Sequence, residues 1–161
     1  MCFKKKLLIY ILLILLNIIS GETSLNIIWG YTPTEVLSSL KEVGNEIKEV
    51  KQIFSALIFK NGISGITIKI SEIKKEPRIT ISLSVDDEII KSLDFSPDSS
   101  GEFSFEMEEK IIPKTKIEVA IRIDEGVIFL PISTIGTGMG YHKINDDFVP
   151  TNHLPLGLIV P

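Results

Sequence analysis

The chain has 161 residues, 44% of them hydrophobic and 24% charged, with a formal charge of −4, which fits one globular domain plus an apolar appendix and excludes a disordered chain. Its three-lysine cluster, Lys4 to Lys6, lies in the first 21 residues, so the remainder carries −7 and has no clustered basic surface with which to bind nucleic acid. The only cysteine is Cys2, which leaves residues 22–161 without disulfide, thiolate nucleophile or cysteine metal site.

Residues 1–21 have the parts of a signal peptide or signal anchor: the lysines, an apolar run from Leu7 to Ile19, then Ser20 and Gly21. As a helix the run covers roughly 20 Å against a hydrocarbon core of roughly 30 Å. Ile18 and Ile19 match the small-residue cleavage pattern poorly, so an uncleaved anchor, inserted through residues 3–19, is the alternative to a discarded signal. In either case the remainder is exported, and an extracytoplasmic location, secreted or anchored, is expected. Residues 22–31 read as a short linker whose Trp29 and Tyr31 suit a membrane interface. No asparagine heads an N-x-[ST] sequon.

The spacing predicts one long amphipathic helix over 32–61. Thr32, Pro33 and Glu35 form an N-terminal capping pattern, and Asn61-Gly62 a left-handed stop. Val36, Leu40, Val43, Ile47, Val50, Phe54 and Leu57 recur at alternating spacings of four and three, a heptad stripe, opposite a face of lysines and glutamates. Such a stripe packs on its own domain's sheet, self-associates as a coiled coil, or lies on a membrane surface, and Gly44 in mid-helix weighs against the coiled coil.

From residue 63 the period becomes two. Ile66, Ile68 and Ile70; Ile79, Ile81, Leu83 and Val85; Phe103, Phe105 and Met107; and Ile117, Val119, Ile121 and Ile123 alternate with polar residues, as in antiparallel strands with one wet face. Turn chemistry stands at Lys75-Glu76-Pro77, Asp86-Asp87, Pro97-Asp98, Pro113-Lys114 and Asp124-Glu125-Gly126. About six short strands at this spacing predict a β-sandwich over 63–134. In strand count and spacing the region resembles immunoglobulin and fibronectin type III sandwiches, though it lacks the cysteine pair and core tryptophan of a true immunoglobulin domain. The fold class expected is therefore mainly β, an antiparallel sandwich preceded by the long helix and the signal or anchor helix.

Residues 135–161 read as a Gly/Pro-containing C-terminal tail that docks through Leu154 to Val160. Gly136, Gly138 and Gly140 lack the lysine and spacing of a phosphate loop and read as turns. His142, Asp146, Asp147 and His153 form the sole candidate set for a metal site or, with Ser133, for a hydrolase. No cofactor is implied. The favoured expectation is a non-enzymatic structural or binding module at the cell envelope or surface. Its partners are an envelope or surface protein, with self-association through the helix, at Leu40, Ile47, Phe54 and Leu57 on the helix and Leu156, Leu158 and Ile159 in the tail. The alternative is a small secreted hydrolase or metal-binding protein using the tail's histidines and aspartates.

Overall fold

The structure, a computed structural model, describes residues 25–32 and 39–161, and the signal or anchor reading of residues 1–21 lies outside them. The fold is mainly antiparallel β, and among the described residues no helix is long and apolar enough to cross a membrane. Eleven strands run in order: β1 (Asn26–Trp29), β2 (Ser39–Val43), β3 (Glu49–Ser55), β4 (Ile63–Ile70), β5 (Glu72–Val85), β6 (Glu88–Phe95), β7 (Gly101–Ile111), β8 (Lys116–Ile132), β9 (Met139–Ile144), β10 (Asp147–Thr151) and β11 (Leu156–Val160). One sheet has the order β1-β11-β4-β7. The other runs β10-β9-β3-β8-β5-β6, with β2 also on β8.

Alternation builds both sheets. Ile79, Ile81, Leu83 and Val85 of β5 and Ile117, Val119, Ile121 and Ile123 of β8 are all buried, and they share one core with Ile66, Ile68 and Ile70 of β4 and Leu156 and Leu158 of β11. Phe103, Phe105 and Met107 of β7 close that core from an edge, where Phe95 of β6 meets the rings of Phe103 and Phe105 at 5.3 and 5.2 Å between centroids. The chain changes sheets at Ser71, the one residue between β4 and β5.

The long helix predicted over 32–61 is overturned wherever that segment is described. Ser39–Val43 and Glu49–Ser55 are strands laid end to end along one side of β8, paired with its residues 128–132 and 116–122, and only Ala56–Ile58 makes a 3-10 turn. The stripe misleads because a spacing of four satisfies both periods. Val50 and Phe54 share the buried face of a strand just as they would share the face of a helix, but Gln52 between them is buried too. β-branched Val43, Ile47, Val50 and Ile53 favour the strand, and Gly44, at φ +130°, breaks the segment. With the helix goes the coiled coil.

Two predicted turns are bulges inside long strands instead. Lys75-Glu76-Pro77 interrupts β5, with Lys75 and Glu76 in the left-handed region, and it faces Gly126 of β8 at φ +76°. A side chain on Gly126 would come within 2.6 Å of the Pro77 Cα, and one on Gly44 would strike the Gly126 carbonyl. These backbones therefore touch in a crease running from Pro77 through Gly126 to Gly44. "KIEVAIRID" and "VIFLPI" become one 17-residue strand, β8, bent at that crease.

The linker and tail readings are corrected as well. Asn26–Trp29 is strand β1, and Trp29 packs edge-on against the buried Tyr31. The tail supplies β9, β10 and β11, and β11 pairs with both β1 and β4 in the middle of its sheet. Eleven strands with β11 inserted between β1 and β4 also depart from the seven-strand immunoglobulin layout.

Candidate interaction surfaces

The residues proposed for association separate sharply. Phe54, Leu156, Leu158 and Ile159 are buried core residues, and Ile47 packs against that core. A core side chain cannot meet a partner without unfolding, so the four buried positions are corrected to structural roles, while half-buried Ile47 lines a surface depression with Leu40 and Ile132. Leu40 and Leu57 are exposed, at 51% and 77%.

The histidine and aspartate set does not converge. His142 stands on β9, opposite Val50 and Val149, whereas His153 lies before β11 and exchanges backbone hydrogen bonds with Ser133. Asp146 and Asp147 sit exposed at the β9–β10 turn, where Asn145 takes the left-handed conformation. Among the described residues no three His, Cys, Asp or Glu side chains group as metal ligands would. Burial first, and then the nearby Lys41 ammonium, holds the His142 imidazole below its ordinary pKa and so keeps it neutral. Ser133 turns its hydroxyl to accept from the Ile135 N–H at 3.2 Å, an arrangement that closes a turn and activates no nucleophile.

What the sequence reading passed over is Gln52, the single glutamine, buried on the inner face of β3. Its Nε2 donates to the Gly30 carbonyl at 3.0 Å and its Oε1 accepts from the Leu154 N–H at 3.0 Å, tying β3 to the segments after β1 and before β11. The glycines of "GTGMG" fit around it. A side chain at Gly30 would come within 2.5 Å of the Gln52 Nε2 and one at Gly138 within 2.6 Å, while one at Gly140 would strike the Asn152 carbonyl. These glycines are places of close backbone approach, not a phosphate loop. Gln52 is legible in the sequence only as a polar residue interrupting the pattern Val50-Phe54.

The Asp86-Asp87 turn is also built. Both residues adopt the left-handed conformation required by a tight hairpin turn, and the Asp86 carboxylate accepts from the Lys114, Thr115 and Lys116 N–H groups and the Thr115 hydroxyl at 2.7 to 3.2 Å. Those bonds hold its pKa far below the ordinary 3.8. A lowered folded-state value stabilises the fold above the ordinary carboxylate range and is withdrawn as pH falls through it. Asp86→Asn, which keeps the turn conformation, is therefore expected to lower the denaturation midpoint at neutral pH, and the gap to the unmodified protein is expected to close on acidification.

Two surfaces of the larger sheet stand open to contact. The outer face of the larger sheet carries Glu49, Lys51, Glu118, Arg122, Tyr141 and Lys143, with Lys51 3.9 Å above the Phe148 ring and 3.6 Å from Glu118. Tyr141 and Phe148 thus put aromatic rings on this face, with Phe148 covered by Lys51 and Lys143. The second is β6, the edge of the same sheet, which among the described residues pairs with β5 alone and exposes Ile89 at 68% and Ile90 at 38%.

No family model and no curated protein matches the chain. Among solved structures it is similar to one described as the cysteine protease and lectin-like domains of Cwp84, a surface layer associated protein of Clostridium difficile, at 9% identity and a TM-score of 0.52. The match covers 71% of this chain and 32% of that one. At this identity the likeness shows a shared fold alone.

Proposed function

We propose that this chain is a non-enzymatic contact module of the cell envelope or surface, exported from the cytosol, that holds a protein partner by strand addition at β6. The observation carrying the reading is the side of β6 that is unpaired among the described residues: eight residues of edge backbone with two exposed isoleucines and no proline, where Lys91, opposite Leu83 beside a bulge, is the one charge on the inner side. Strand addition uses main-chain hydrogen bonds and needs no special side chains. That suits a domain whose titratable residues are spread over wet faces. The likeness to a surface layer associated protein supports the envelope setting at the level of analogy.

The test is photo-crosslinking in the native cells from position 90, with position 84, on the wet face of β5, as reference. A discrete envelope-protein adduct from position 90 is expected, absent from position 84 and lost in Ser92→Lys, which puts a charge on the edge. Equal adducts from both positions would remove β6 from consideration. The His142→Asn, His153→Asn double variant is expected to form the same adduct, because the imidazoles have no part in it. An activity abolished in that variant would restore the hydrolase reading.

A further inference from the structure

One end of the sandwich carries exposed apolar side chains with lysines beside them. Leu25, Leu57, Ile58 and Ile112 meet there, exposed at 36%, 77%, 44% and 59%. The depression lined by Ile28, Leu57, Ile58 and Val160 joins the middle two, Leu25 stands one residue before Asn26, the partner of Val160, and Gly62 carries the surface on to Ile112. The two loops at this end, residues 56–62 and 112–116, hold Lys60, Lys114 and Lys116 and no acid, whereas residues 22–161 together carry −7. Asp86 accepts from the second loop's N–H groups, Asp87 pairs with Lys116 at 2.6 Å, and Glu88, Glu108 and Glu109 stand on the neighbouring strand ends, so exposed apolar side chains with Lys60 and Lys114, and no net positive charge, mark this surface.

The chain outside the described residues enters at this same end. β1 starts here, with Asn26 opposite Val160, and Leu25 belongs to the apolar surface. Five residues, Ser20 to Ser24, separate Leu25 from the apolar run Leu7 to Ile19. Fully extended they reach about 18 Å. A run of roughly 20 Å is short for a bilayer, and a short span thins the membrane locally and draws its flanks toward the interface.

We propose that this end of the sandwich seats on a lipid bilayer, with Leu57, Ile58 and Ile112 in the headgroup and acyl boundary and Lys60 and Lys114 against lipid phosphates, while the Leu7 to Ile19 run tethers it. Apolar side chains beside lysines are the composition that interfacial binding requires. The inference uses the retained-anchor form of the leader and is independent of any contact at β6.

The experiment places a tryptophan at the end through Leu57→Trp, a position exposed enough to accept it, and in a reference variant through Ser92→Trp on the wet face of β6. Full-length chains are reconstituted into vesicles of phosphatidylcholine and phosphatidylglycerol with brominated or ordinary acyl chains, with Trp29 as a background common to both variants. Fluorescence from position 57 is expected to fall roughly twofold in brominated vesicles, the depth expected of an interfacial side chain, with no change from position 92. Adding Lys60→Glu and Lys114→Glu is expected to weaken that quenching. Vesicle-bound chains with unquenched position 57 would overturn the proposal and leave the anchor reading intact. Chains that do not float with the vesicles would overturn both. A shielded position 57 in a dimer without lipid would assign the surface to a second copy and overturn the proposal likewise.

Discussion

Leu158→Ala is expected to lower the free energy of unfolding by about 3 kcal/mol, whereas Leu57→Ala changes it by less than about 0.5 kcal/mol. By pattern alone the two residues fall in one class, apolar positions in a helix seam or a docking tail. The fold divides them. Leu158 is fully buried at the centre of β11, opposite Ile28 on one side and Ile66 on the other, and its removal leaves a cavity between two sheets. Leu57 is 77% exposed on the 3-10 turn and loses little. Urea denaturation of the chain reads the difference directly. Similar costs for both substitutions would mean that β11 is not an interior strand.

Gln52→Leu is expected to cost about as much through a different route. It leaves the Leu154 N–H buried without its partner, at about 1–3 kcal/mol, and the Gly30 carbonyl with only the 3.5 Å bond from the Gly138 N–H, so the melting temperature falls on the order of 10 °C. The coupling is more specific than the cost. Gly30→Ala drives its Cβ into the Gln52 amide and is expected to destabilise strongly alone. The three atoms nearest that Cβ all belong to Gln52, so in the Gln52→Ala background most of the added cost disappears. A double-mutant cycle by thermal melting is expected to show an interaction energy above about 1 kcal/mol. Additive effects would mean that Gln52 does not fill the space between β3 and Gly30.

The strands whose buried side alternates with water were legible from the chain. Ile66, Ile68 and Ile70, Ile79 to Val85, Phe103 to Met107 and Ile117 to Ile123 each fall in a strand, because a half-wet strand writes its period into polarity. Three features defeated the same logic. Val50 and Phe54 satisfy helix and strand periods together, and only tertiary pairing with β8 and β9 decides between them. Lys75-Glu76-Pro77 and Gly126 have turn composition because a bulge needs the same left-handed backbone as a turn, so one long strand reads as two. β11 has glycine and prolines about it and is covered on both faces, so no alternation betrays it.

The association residues were half legible for a related reason. Hydrophobicity marks a side chain that avoids water, and it does not say whether its own core or another surface provides the cover. Leu156, Leu158 and Ile159 found cover within the chain, while Leu57 and Ile58 did not. Gly136, Gly138 and Gly140 were visible as glycines, but their reasons lie in distant segments, at the Gly30 carbonyl and His153, at Gln52, and at the Asn152 carbonyl in turn.

The account turns on residues 39–61 being strands that complete the larger sheet rather than a helix that projects from it. Interproton contacts measured by NMR across this segment test that most directly. The account predicts contacts from Gln52 to Val119 on one side and to Gly140 on the other, and from Lys41 to Leu130. A ladder of contacts three and four residues apart along 39–61, with none to residues 116–132, would contradict it.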